Sequence, residues 1–245
     1  MPLSQLFPTL HLLSWAPPGW GGALLSGLWN SMLIATGAFW LGLTMGFCCA
    51  MGKLHGGRTL RDMLSLYTTV VRALPELILI LLLYYGLTDL VNRALMSFGF
   101  DRISLSGVVA GVLVLGVVSG AYATEVLRGA IQAVPPGQIE AARAMGMPPL
   151  MIAWRITLPN MLALALPGMS NLWLIATKDT ALLAVVGFTE LTLQTRQAAG
   201  TTKAFFTFFT AAGLIYLAVT LFSTFLFDRL ERWARRGEPE GQRSK

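Results

Sequence analysis

Five apolar runs, each long enough to cross a bilayer as a helix, constrain this chain more than any other feature. They lie at about 22–51, 64–87, 106–124, 156–176 and 204–227, with short polar stretches between them. At 1.5 Å of rise per residue, ~20 residues cross ~30 Å of hydrocarbon. Lipid offers a backbone amide no outside partner, so the spans are expected to be helical. The fold class read from this pattern is all-α integral membrane, one domain of five transmembrane helices. Charge agrees, because only 12% of the 245 residues are charged, about half the ~25% of a soluble domain. The fourth run is the least regular. Pro159 and Pro167 are expected to interrupt it, and apolar sequence continues past Lys178 to Phe188.

An odd number of spans puts the two ends of the chain on opposite sides, and basic residues choose which. One side collects Lys53, Arg58, Arg61, Arg128, Arg143, Arg155, Arg229, Arg232, Arg235, Arg236, Arg243 and Lys245. The other has Arg93, Arg102, Lys178, Arg196 and Lys203, while Arg72 falls within the second run. The positive-inside rule then places the N-terminus outside and the tail in the cytoplasm. The expected divisions are an extracytoplasmic segment 1–21, a membrane domain 22–230 and a basic cytoplasmic tail 231–245. No basic region precedes the first apolar stretch, so the first span is expected to be its own insertion signal.

The net charge of +6 does not indicate nucleic acid, because the basic residues sit at the ends of apolar runs and form no continuous stripe. Cys48 and Cys49, the only cysteines, lie in an apolar run and are expected to be reduced packing residues. The third run holds Gly107-x-x-x-Gly111 and Gly116-x-x-x-Gly120. Small residues four apart let helices approach closely, either within the bundle or at a dimer face.

Between the third and fourth runs, Pro135, Pro136 and Gly137 precede the run 140–146, Glu-Ala-Ala-Arg-Ala-Met-Gly. Prolines fix the start of a helix here, alanines favour it, and Gly146 with Pro148 and Pro149 ends it. The helix is expected at about 137–148 on the cytoplasmic side. Being too short to stand alone, it needs a partner surface, toward which Ala141, Ala142 and Met145 form a slim apolar face.

The spacing Glu140-Ala141-Ala142, Gly146, then Ile156-Thr157-Leu158-Pro159 resembles the EAA loop of binding-protein-dependent ABC transporter permeases. Tyr67-Thr68-Thr69, Arg72, Pro75 and Tyr85-Gly86-Leu87 resemble the second span of the polar amino acid family. Gly120-Ala121-Tyr122, Glu125, Arg128-Gly129, Leu166-Pro167-Gly168, Asn171, Lys178, Thr180-Ala181-Leu182 and Glu190-Leu191 extend the likeness, as does Gly213-Leu214-Ile215-Tyr216-Leu217 in the last span. Its closest branch is the one for histidine, arginine, lysine, ornithine and opines. Ala73 departs from the family, which generally has glycine after the arginine. The resemblance implies a type I ABC importer permease fold. It also implies that Gly137, Glu140, Ala141, Ala142, Gly146, Ile156, Leu158 and Pro159 couple to an ATPase. The implied partners are a homodimer of ABC ATPase subunits, a second permease (a paralogue or an identical copy), a periplasmic solute-binding protein and an amino-acid substrate. The implied location is multi-pass in the bacterial inner membrane.

Charges at bilayer depth are costly and mark a pair or a pathway. Arg72 and Glu76, four apart, are expected on one helix face, either as an ion pair or with Glu76 facing a cationic substrate. Lys178 and Asp179 end the fourth run as an interface anchor or a vestibule lining, and the resemblance adds Thr180 to the lining. Glu125 and Arg128 read as a helix-end pair. A P-loop is missing from the sequence, so ATP hydrolysis would fall to a partner and this chain would be a transport subunit and no enzyme. The only histidines, His11 and His55, lie outside the spans, which argues against an intramembrane serine protease or a metal site. No cofactor is expected. An ion-coupled carrier would not require the breaker-bounded helix.

Overall fold

The computed structural model describes residues 10–15, 19–99, 101 and 106–234, and among them it is helical with no strand. Arg102, the start of segment 1–21, and the tail basic residues Arg235, Arg236, Arg243 and Lys245 lie outside the described residues.

Helix α1, Gly21–His55, has 35 residues and so reaches about 52 Å, well beyond the hydrocarbon thickness. It packs side by side with the third span along most of its length, and glycines set how close the two come. A Cβ on Gly42 would lie 2.7 Å from that of Ser119, and one on Gly46 2.6 Å from that of Ala123. The third span reciprocates, since Gly116 meets Leu41 and Gly120 meets Met45. The paired glycines therefore serve packing within one subunit.

The second apolar run departs from expectation. It is not one helix over 64–87 but two, α2 at Arg58–Ala73 and α3 at Glu76–Ser97. Leu74 between them is extended, with φ −87 and ψ 145. The cause is Pro75, whose ring disfavours helical backbone in the residue before it and which offers no N–H. Of the two pieces, α3 has the length and apolarity of a span. The third span is α4, Gly107–Gln132, longer than its apolar run and capped by Ser106, whose hydroxyl accepts from the Val109 N–H.

Helix α5, Pro136–Ala144, follows after a short turn. A helical turn at Pro149–Ile152 and a π-helical stretch at Ala153–Thr157 lead into α6, Leu158–Asp179, which tightens to a 3₁₀ turn over Thr180–Val185. Pro159 and Pro167 do not break this run as expected. A proline ring collides with the carbonyl four residues back, and the wider π turn just before Pro159 relieves that contact. Pro167 sits inside α6 without ending it. Helices α7, Leu191–Thr202, and α8, Phe205–Ala234, complete the described residues; α8 carries helix past residue 231, where the tail was expected to start.

The core runs along the α1–α4–α6 seam. Phe39, Leu43, Leu127, Met161 and Leu172 fill one half, and Ile34, Ile80, Val114, Leu183 and Phe188 fill the other. Trp173 donates from Nε1 to the Ser223 hydroxyl at 2.9 Å, tying α8 to α6.

Candidate functional site

Two features stand apart from this packing: the isolated helix α5 and the charged break between α2 and α3.

At α5, Pro136 occupies the first turn, where its missing N–H costs nothing. The C-terminus closes as a Schellman motif, in which the Met147 N–H donates to the Ala142 carbonyl and the Gly146 N–H to that of Arg143. The motif requires a left-handed residue, and Gly146 takes φ +75 with open space where a Cβ would point. Ala142 is buried, whereas Glu140, Ala141 and Ala144 are exposed and Met145 is 83% exposed. The expected single face of Ala141, Ala142 and Met145 is therefore split. Adjacent helix positions differ by 100°, and inward packing takes Ala142 alone. Gly137 lies in the first turn, open to solvent. The second arm holds Ile156 in the π turn, with Leu158 against the core and Pro159 exposed. Asn160 joins the arms, donating from Nδ2 to the Gln138 side chain at 2.9 Å and to the Ile156 carbonyl at 2.7 Å.

The break separates Arg72 and Glu76 onto different helices, so they share no helix face, and no ion pair joins them among the described residues. They meet instead through Tyr122 of α4. The Arg72 guanidinium lies 5.8 Å from the centre of the Tyr122 ring, and the Tyr122 hydroxyl donates to Glu76 Oε1 at 3.5 Å. Asp179, at the end of α6, brings a second carboxyl into electrostatic interaction with Glu76. The first intrahelical bond of α3 runs from the Leu79 N–H to the Pro75 carbonyl, so the amides before it point out of the helix end. Lys178 is exposed on the same closing turn of α6, while Thr180 is fully buried and donates back to the Thr177 carbonyl at 2.7 Å. Arg72, Glu76 and Asp179 thus converge, and Thr180 does not reach them.

Two buried networks escaped the sequence reading. Lys53 of α1, with 8% of its side chain exposed, pairs with Glu125 Oε1 at 2.7 Å and donates to the Thr68 hydroxyl at 2.6 Å. Glu125 also holds Arg128 at 2.7 Å, which is the expected helix-end pair. Elsewhere, Glu190 is fully buried and caps α7, accepting from the Thr192 and Leu193 N–H groups at 2.8 and 2.7 Å and from the Tyr216 hydroxyl at 3.3 Å. The only signal for the first was Lys53 at the end of an apolar run. For the second it was Glu190 just before a polar helix.

Among the described residues, five long apolar helices, one of them preceded by a break beside charged residues, and a small helix at the bundle's edge match the membrane subunit of a transporter with the type I ABC importer permease fold. The chain belongs to the family described as binding-protein-dependent transport system inner membrane component, whose pattern it matches over residues 38–236. It is 40% identical to the nopaline transport system permease protein NocQ of Agrobacterium fabrum, over 93% of this chain and 98% of that one. To the histidine/lysine/arginine/ornithine transport system permease protein HisQ of Escherichia coli it is 37% identical, over 87% and 94%. In structure it resembles a chain of an amino acid ABC transporter crystallised with histidines. The TM-score is 0.74 at 31% identity, covering 87% of this chain and 94% of that one.

Proposed function

We propose that this permease subunit passes a cationic amino acid or opine through an ATP-driven importer. The observation that carries the reading is the meeting of Arg72, Tyr122, Glu76 and Asp179 at the break between α2 and α3. Irregular backbone at membrane depth is tolerated where it lines a cavity, and broken helices commonly mark transport sites. Two carboxyls facing each other from α3 and α6 form an acceptor pair for a guanidinium or ammonium group. Arg72 and the outward amides at the start of α3 are donors for a carboxylate. A basic amino acid carries both groups. The names of the relatives, nopaline and histidine/lysine/arginine/ornithine permeases, point to the same chemistry.

In this reading α5 is the coupling helix. Its outward residues Glu140, Ala141 and Met145 dock on a cytoplasmic ATPase subunit, and Gly137, Gly146, Ile156, Leu158 and Pro159 shape the loop that presents them. Ala142 anchors the helix from within. The basic residues around His55–Arg61 and Arg128–Arg155 support a cytoplasmic position for this end, with a binding protein delivering substrate on the other side. A second permease completes the pathway, and ATP-driven rigid tilting of the two subunits exposes it to each side in turn.

The test is uptake into proteoliposomes containing the assembled transporter and its binding protein. Glu76→Gln and Asp179→Asn are each expected to reduce arginine uptake about tenfold or more, the effect of losing one hydrogen bond to a charged group, at equal protein incorporation. Unchanged uptake in both variants would return the two carboxyls to a structural role.

A further inference from the structure

A cavity of about 760 Å³ opens behind the coupling helix, between the ends of α1 and α4 and the start of α6. Its size falls within the ~300–1,000 Å³ range of small-molecule sites. Eleven of its fourteen lining residues are apolar, which disfavours a polar solute. Phe47, Met51, Ile131, Trp154 and Met161 form the walls, and the charge on the lining comes from Arg143; His55 also lines the cavity. Polarity is graded along α1. Phe47 lies about 12 Å before His55 at 1.5 Å per residue, and His55 closes the helix. The cavity thus runs from an apolar floor to a basic rim at the end of the spans. Among the described residues Arg143 forms no ion pair.

The cavity is not the ATPase seat. Ile139 and Arg143 line it, whereas the exposed Ala141 and Met145 lie two positions further along the helix. Two positions are 200° of rotation, which places the two pairs on opposite sides of α5. An apolar floor at the bilayer edge with a cationic rim complements an amphiphile whose head is anionic.

We propose that this cavity holds one anionic phospholipid of the cytoplasmic leaflet, its acyl chains along Phe47, Met51 and Met161 and its phosphate against Arg143, wedged behind the coupling helix. The proposal rests on the orientation given above. It assigns the lipid a place under the element that carries the motor's motion.

The experiment uses the intact transporter in vesicles of phosphatidylcholine containing a fixed fraction of phosphatidylglycerol, with one or the other lipid brominated on its chains. Bromine quenches nearby tryptophan, and the signal of Trp154, 66% exposed in the cavity wall, is isolated as the difference between the protein and its Trp154→Phe variant. Brominated phosphatidylglycerol is expected to win the site over brominated phosphatidylcholine by about fivefold, the attraction of one basic residue to an anionic lipid surface. Arg143→Gln should abolish that preference and Arg143→Lys should keep it, each checked for assembly by size-exclusion chromatography. Equal quenching by both lipids means ordinary surrounding lipid only and overturns the proposal. Absence of quenching by either means that protein covers the cavity, which also overturns it. Preferential quenching without contact between α5 and the ATPase would leave the lipid site standing and remove only the coupling role.

Discussion

At Gly146 the backbone sits at φ +75 so that the helix end can turn back on itself, and nothing crowds the place where a side chain would go. Strain in a variant therefore comes from the backbone alone, ~1–2 kcal/mol for a residue with a Cβ. Asparagine tolerates the left-handed region and β-branched residues do not. Uptake is expected to fall in the order Gly146→Asn, Gly146→Ala, Gly146→Val, with membrane insertion unchanged; equal uptake in all three would show that the turn is not needed. Lys53 presents a different residue-scale case. Glu125→Leu leaves a nearly buried ammonium with only the Thr68 hydroxyl, whereas Lys53→Met leaves Glu125 still held by Arg128. Removing one partner of a buried pair costs up to ~3–5 kcal/mol. Thermal unfolding in detergent is expected to show the larger loss for Glu125→Leu, with a double variant losing less than the sum of the two.

Among elements, the prolines show what a sequence does and does not disclose. The number of long apolar helices could be read from run length, though not the bounds of the second, and the ends of α5 from Pro136 and Gly146, because lipid and local backbone chemistry decide those features. Pro75 and Pro167 have the same backbone chemistry, yet one separates two helices and the other lies inside one. What differs is the surroundings, since Pro75 lies beside Arg72 and Glu76, which Tyr122 and Asp179 engage from distant parts of the chain. Asp179 joins Glu76 across more than a hundred residues, and Lys53 joins Glu125 across 72. Spacing in the sequence carries no signal of such distance. The cap of α7 offers a test at this scale. Burial pushes the Glu190 carboxyl above its ordinary value, against the opposing pull of the Thr192 and Leu193 amides. A group raised on folding stabilises fully below its unfolded pKa and loses that contribution as pH rises through the folded one. The stability difference between the protein and Glu190→Gln is therefore expected to shift against the native protein as pH rises from about 4. A pH-independent difference would show that burial leaves this carboxyl's titration unchanged.

For the whole molecule, the proposed substrate cluster and the proposed coupling helix are joined through one helix bundle. The α1–α4 seam, packed through glycines at Gly42 and Gly46, and the Lys53–Glu125 pair make that end of the bundle move as a unit. The Gln138–Asn160 bond joins α5 to the start of α6, and α6 ends at Asp179 beside Glu76. In the proposed mechanism, motion imposed on α5 is passed to the helix that carries Asp179, one of the two carboxyls proposed to meet the substrate. Disulfide crosslinking of single cysteines to a cysteine in the partner ATPase, in a background with Cys48 and Cys49 replaced, tests the proposal that the outward face of α5 seats the motor. Ala141→Cys is expected to crosslink in an ATP-dependent manner and to block uptake until reduced, while Ala142→Cys, buried against the bundle, is not. Uptake that persists with no crosslink at Ala141→Cys, or a crosslink at Ala142→Cys instead, would contradict the account.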